Sequence, residues 1–322
     1  MKAFTLLPVS SLPEASREWV KPRTALKAGG VDLLDRMKEG LDTPDRVVSI
    51  AHVPGLDGIV AGPPARIGAL ATLAKIESHA GIRRVYPALA AAAGGAATPQ
   101  IRNMATLGGN IAQRPRCWYF RSADFDCRKK GGDTCFAQEG ENRFHAIFDT
   151  AICCCVHPSA TSVALIAYGA RLETVSPNGK RTIGLDDFFV LPEQDPKREN
   201  ALAPGEIIEA VVIPAPAAGA RSAYRKLKEK ESFDWPLVEA CVALTVTGGS
   251  IRDARVVLGS VSPVPRRATA AEKILTGSAP SPELFARAAA AAVSGATPLA
   301  QNAHKVRLAR VMVERALRDA LA

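Results

Sequence analysis

A chain of 322 residues, 47% of them apolar, is long enough for two or three hydrophobic cores and has the composition of an ordinary globular polypeptide. Its formal charge of +9 comes from 41 Lys and Arg scattered among 32 Asp and Glu, with no nucleic-acid-binding motif, so the surplus points to an acidic protein partner or an anionic cofactor. No apolar run reaches the roughly 18 residues of a membrane span, and the first stretch, broken by Pro8, is too short for a signal peptide, so the sequence by itself reads as cytoplasmic.

In chain order, Phe4–Leu7 is a short strand and Ser11–Trp19 a helix. Thr24–Ala28 runs as a strand into Gly29-Gly30, and Val31–Lys38 has helical spacing with Leu33, Leu34 and Met37 apolar. Strand, two glycines, helix is a way to bring bare backbone N–H groups to a phosphate at a positive helix end. It is not G-x-G-x-x-G, and such a turn also occurs without a ligand. Val47–Ile50 completes a β-α-β unit, Arg66–Leu70 is a further strand, and Thr72–His79 and Arg84–Ala93 are helices. A second glycine pair follows in Asn103-Met104-Ala105-Thr106-Leu107-Gly108-Gly109-Asn110, which reads as a second loop at the same phosphate-bearing ligand or as an unrelated tight turn.

Six of the seven cysteines fall between Cys117 and Cys155, as Cys-x9-Cys-x7-Cys and then, after seventeen residues, Cys153-Cys154-Cys155. Four thiolates suffice for zinc or for an iron–sulfur cluster, and the spacing is neither that of a zinc ribbon nor that of a bacterial ferredoxin. Three adjacent cysteines also suit a packed core with no metal. An extended triplet turns Cys153 and Cys155 one way and Cys154 the other, so at most two of the three can ligate. An odd number of cysteines crowded into one stretch does not describe a disulfide framework.

After the cysteines, His157-Pro158-Ser159 opens a helix to about Tyr168, and Ala170–Val175 with Arg181–Ile183 flank a Pro-Asn-Gly turn as a hairpin. Glu206–Ile213 is a strand, and residues 214–219 form a Pro/Ala linker. Beyond it, strands at Arg221–Leu227, Pro236–Thr247 and Ile251–Ser260 precede helices at Ala268–Leu275, Pro282–Val293 and Gln301–Leu321. This is an antiparallel meander backed by helices, in an α+β chain.

Three stretches together, ALKAGGVDLL at 25–34, NMATLGGNIAQRPRCWYF at 103–120 and CCCVHPSATSVALIAYGARLE at 153–173, resemble the FAD-binding subunit of the molybdenum hydroxylases, the xanthine dehydrogenase and aldehyde oxidoreductase family. The cysteine insertion resembles the branch whose flavin subunit carries an extra [4Fe–4S] cluster, that of bacterial periplasmic aldehyde oxidoreductase. The resemblance implies a p-cresol-methylhydroxylase-type two-lobed FAD-binding domain, with lobes at 1–62 and 63–214 and the cluster insertion at about 114–156. A C-terminal sheet-plus-helices domain of the CO-dehydrogenase-flavoprotein type would follow at 220–322. It assigns Ala25, Leu26, Lys27, Ala28, Gly29, Gly30, Val31, Asp32 and Leu33 to the FAD pyrophosphate and ribose. Thr106, Gly109, Asn110 and Ser159 would meet the diphosphate and flavin, with Ile208 and Lys226 beside the ring system. Cys117, Cys127, Cys135 and Cys153 would hold the cluster.

The sequence departs from the family twice: Val31 stands where a threonine is usual, and Ala160 where the His-Pro-Ser motif continues with aspartate. The implied function is electron transfer, with a molybdenum-cofactor subunit oxidising an aldehyde or N-heterocycle, a [2Fe–2S] subunit relaying electrons, and FAD passing them to an external acceptor. No catalytic acid–base pair is expected in this chain, and co-export with a partner would make it periplasmic. The competing readings are a zinc or iron–sulfur protein without turnover and a self-contained flavin oxidase.

Overall fold

The computed structural model describes residues 1–322. The chain begins with β1 (Thr5–Pro8), α1 (Leu12–Trp19), β2 (Thr24–Lys27), α2 (Val31–Lys38) and β3 (Arg46–Ser49). The three strands are parallel in the order β1-β3-β2. Helix α1 starts where Ser11 caps the Glu14 N–H at 3.4 Å and a proline occupies the first turn, where its missing N–H costs nothing. It buries Leu12 and Ala15 against Val48 and Ile50 of the sheet.

The second part carries β4 (Ile59–Val60), β5 (Ala65–Gly68), α3 (Leu73–Ser78), α4 (Ala80–Val85), α5 (Pro87–Gly94), α6 (Pro99–Met104), α7 (Leu107–Ile111), α8 (Trp118–Arg121), α9 (Ala160–Ala167), β6 (Arg171–Ser176), β7 (Gly179–Gly184) and β8 (Ile207–Ile213). Its five strands are antiparallel in the order β4-β5-β8-β6-β7. Helix α9 is buried all round, with Val163, Ala164, Leu165 and Ile166 in one core with Leu89 and Ala92 of α5. The helix expected over Arg84–Ala93 is two, because Pro87 restricts Tyr86 to φ −130°, ψ 59° and starts α5 afresh.

The third part is β9 (Ala220–Leu227), β10 (Val238–Thr247), β11 (Ser250–Gly259), β12 (Arg266–Arg267), α10 (Thr269–Leu275), α11 (Pro282–Ala292) and α12 (His304–Leu321). The antiparallel sheet, ordered β12-β11-β10-β9, obeys the twofold alternation of a sheet covered on both faces. Val238, Ala240, Val242 and Leu244 face the helices, whereas Cys241 and Val257 pack into the core that holds α9. Cys241 is therefore an ordinary core residue.

Residues 122–158 contain almost no regular structure, yet they are fixed to the third part. Ile147 and Phe148 bury in its core, and their N–H groups both donate to the Val261 carbonyl at 2.8 and 3.1 Å. No helix is long and apolar enough to cross a membrane. Overall the arrangement is α+β.

Candidate functional site

A cavity of about 1100 Å³ opens between the three parts. Leu26 to Leu33 form one wall, running from β2 through the Gly29-Gly30 turn into α2. A Cβ on Gly29 would stand 1.9 Å from the Met104 carbonyl oxygen, so only glycine lets this turn touch the end of α6. Gly30 takes the left-handed φ of 84° and is the N-cap of α2, with no side chain to occupy the first N–H groups of the helix. Those donors and the positive helix end lie at the cavity, and suit a phosphate.

Thr106 lies beside this turn, its methyl 3.6 Å from where a Gly29 Cβ would stand, and Gly109, Asn110, Ile208 and Lys226 also line the space. The second glycine pair is not a loop but the short helix α7. Thr106 Oγ1 caps the Gly109 N–H at 3.3 Å, and the Leu107 and Gly108 N–H groups donate to the carbonyls of Ala71 and Ala69, both at 2.9 Å. Asn110 Oδ1 accepts from Ser159 Oγ at 2.8 Å and Thr161 Oγ1 at 2.6 Å, leaving its Nδ2 donors unused within the chain. Lys226 Nζ donates to the Gly95 carbonyl at 2.8 Å.

Of the residues assigned to FAD from sequence, Ala25 and Ser159 do not reach this cavity. Ala25 packs against the cluster of Leu33, Met37 and Val47, on the other side of β2 from the cavity-lining Leu26. Ser159 is buried as the N-cap of α9 and acts on the cavity only by orienting Asn110.

Arginines that the sequence did not single out as cavity residues dominate one end. Asp32 Oδ1 takes the Arg121 and Arg116 guanidinium groups at 2.7 and 2.8 Å, Asp32 Oδ2 faces Arg36 at 3.3 Å, and the Arg114 N–H donates to Asp32 at 3.2 Å. Burial opposes ionisation of Asp32, but Arg116, Arg36 and Arg121 outweigh it and hold the carboxyl below the usual range. Helix α2 is thereby latched to the segment that carries the first cysteine. Trp235 adds its ring beneath Arg116, 5.0 Å from the guanidinium carbon.

Segment 114–121 is a partition. Arg114, Arg116, Trp118 and Arg121 line the large cavity, whereas Cys117, Tyr119 and Phe120 line a second, largely apolar one. Into that small space project Cys117, Cys127, Cys135, Cys153 and Cys155. Cys154 does not line this space: its thiol donates to the Thr150 carbonyl at 3.4 Å and interacts from behind with Cys135. Burial pushes the Cys117 thiol up to about 12. Lys129, 4% exposed, is held charged by Cys155, Glu199 and Cys153 against the cost of its burial. Its Nζ lies 3.1 Å from Glu199, which Arg114 grips in turn at 3.0 Å through both oxygens, so one buried ionic chain spans the partition.

The donor set is what a soft metal centre takes, but the geometry is not that of a bound ion. No three His, Cys, Asp or Glu groups are arranged to hold one, and the small cavity measures only about 20 Å³.

A glycine turn feeding an open helix end, with Thr106 and Asn110 on the same large cavity, describes a dinucleotide-binding protein of α+β build. Comparison with known proteins makes the class specific. Residues 3–216 match the FAD binding domain in molybdopterin dehydrogenase, and residues 222–320 the CO dehydrogenase flavoprotein C-terminal domain. The chain is 36% identical over 330 residues to the aldehyde oxidoreductase FAD-binding subunit PaoB of Escherichia coli, covering 100% of this chain and 99% of that one. It is 30% identical to the carbon monoxide dehydrogenase medium chain of Hydrogenophaga pseudoflava, covering 92% and 89%. The solved carbon monoxide dehydrogenase of that organism superposes with a TM-score of 0.79 at 28% identity, over 99% of this chain and 98% of that one. This chain belongs to the FAD-binding subunits of the molybdenum hydroxylase family, and is an oxidoreductase subunit that binds FAD.

Proposed function

We propose that this chain is the FAD- and [4Fe–4S]-carrying electron-transfer subunit of a heteromeric molybdenum-cofactor oxidoreductase acting on aldehydes or N-heterocycles. A molybdenum-cofactor subunit oxidises the substrate, a [2Fe–2S] subunit relays electrons, and they leave from this chain to an external acceptor. The bound flavin supplies the exchange between one-electron centres and a two-electron oxidant.

The observation that carries the reading is the partition at 114–121, with a dinucleotide-sized cavity on one side and five thiols on the other. The first-turn N–H groups of α2 and the Gly29-Gly30 turn hold the pyrophosphate, and Asn110, oriented by Ser159 and Thr161, donates from the same cavity. Cys117, Cys127, Cys135 and Cys153 hold the cluster, with Cys155 the neighbour on the same cavity. Lys129 supplies a cation beside the thiolates.

The test is the metal, sulfide and flavin content of the full chain purified anaerobically. One FAD and about four irons per chain are expected. Zinc or an empty thiol site beside FAD would leave a flavoprotein whose cysteine stretch is structural, and would overturn the cluster.

A further inference from the structure

His145 is a buried imidazole that neither cofactor reading uses. Its Nε2 lies 3.2 Å from Cys117 Sγ, and its Nδ1 is buried with no partner. The ring packs edge-on against Trp118, with centroids 5.1 Å apart. Its backbone is pinned from the far end of the chain: the His145 carbonyl accepts from Lys305 Nζ at 2.8 Å and from Asn302 Nδ2 at 3.2 Å. On either side, the Phe144 carbonyl takes Lys305 Nζ at 3.1 Å and the Ala146 carbonyl takes Asn302 Nδ2 at 3.0 Å. Asn142 and Gln301 exchange a further pair, at 3.1 and 3.0 Å.

This arrangement decides where the imidazole proton belongs. A metal-bound thiolate accepts hydrogen bonds and cannot donate them, so the pair requires a hydrogen on Nε2. Nδ1 faces no acceptor, and a proton placed there would be unpaired. A donor fixed on a ligand sulfur withdraws negative charge from it, and so favours the more electron-rich, reduced cluster.

We propose that His145 donates an N–H···S hydrogen bond to the cluster ligand Cys117 and raises the reduction potential of the cluster. Lys305 and Asn302 of the C-terminal part fix the backbone that carries the imidazole and Trp118 packs its ring, so His145 is a positioning and tuning residue rather than a ligand. The inference rests on the cluster reading above, and its test separates the two.

Iron is measured first on the full chain purified anaerobically, then the cluster is titrated under EPR in the wild type, His145→Phe and His145→Gln. Phenylalanine keeps the packing against Trp118 and removes the donor, whereas the glutamine amide can present an N–H near the position of Nε2. The expected result is full iron in all three, a lower potential in His145→Phe, and a potential near that of the wild type in His145→Gln. Full iron with an unchanged potential in His145→Phe overturns this inference alone, and an iron-free wild type overturns the cluster reading and this inference with it. Should His145→Phe fail to load iron, pulsed EPR of wild type carrying 15N-histidine decides. A weak 15N coupling lost in His145→Gln is expected, and no coupling in the wild type overturns the bond.

Discussion

Gly29 carries the tightest steric demand at the flavin cavity, since any β-carbon there meets the Met104 carbonyl at 1.9 Å. Gly29→Ala must push the β2–α2 turn off α6, at a cost on the order of 2 to 4 kcal/mol. The purified variant is expected to lose most of its FAD, read as flavin absorbance per chain, and to melt earlier. Val31→Thr works in the other direction. It places a hydroxyl at the first residue of α2, where a phosphate hydrogen bond worth roughly 1 kcal/mol would tighten FAD retention several-fold, measurable by flavin release on dilution. For the thiols, single serine replacements of Cys117, Cys127, Cys135 and Cys153 are expected to lose cluster iron. Cys154→Ser and Cys241→Ser are expected to keep it, because Cys154 does not line the thiol cavity and Cys241 lies in the α9 core. Full iron in Cys153→Ser with loss in Cys155→Ser would transfer the fourth ligand to Cys155.

Helix α2 is the element on which both cavities depend. Its N-terminus faces the flavin site, and its Asp32 and Asp35 hold Arg116 and Arg121 of the cysteine-bearing partition. Asp32→Asn leaves Arg36, Arg116 and Arg121 short of a buried counter-charge, at a cost of about 3 kcal/mol. Flavin and iron contents are expected to fall together in this variant, and loss of flavin with iron untouched would show that the latch does not couple the two sites. Such pairings join residues more than 80 positions apart, and no local pattern announces them. The β2–Gly-Gly–α2 unit was legible, because strand, glycine pair and 3.6-residue periodicity all lie within fifteen residues. Helix α7 was not, because two glycines argue against helix, and what holds it is tertiary: the Thr106 cap and the Ala69 and Ala71 carbonyls. The alternation of the triplet was legible, since an extended backbone turns Cys153 and Cys155 to one side, whereas the gathering of Cys117, Cys127 and Cys135 around the same space needed the fold.

At the scale of the molecule, buried histidines make the assembly of the three parts sensitive to acid. His157, two residues before the N-cap of α9, is 3% exposed, its Nδ1 accepting from the Ser159 N–H at 3.3 Å and its ring against Phe189. Burial, with Lys129 adding to it, holds its pKa down at about 3. The unfolded chain, with an ordinary value near 6.5, therefore binds a proton that the folded chain refuses as pH falls through the range between those values. Proton uptake by the unfolded state means that stability rises with pH across this window and is lost on acidification. The loss from this residue alone amounts to about 1.4 kcal/mol between pH 7.5 and 5.5, and it continues to grow toward pH 3. Thermal melts over that range are expected to fall in the wild type and to fall less in His157→Phe, where the packing on Phe189 is retained and the titrating group is gone. An equal acid slope in the two proteins would place the acid sensitivity elsewhere. His145, held at about 4 by burial, obeys the same sign.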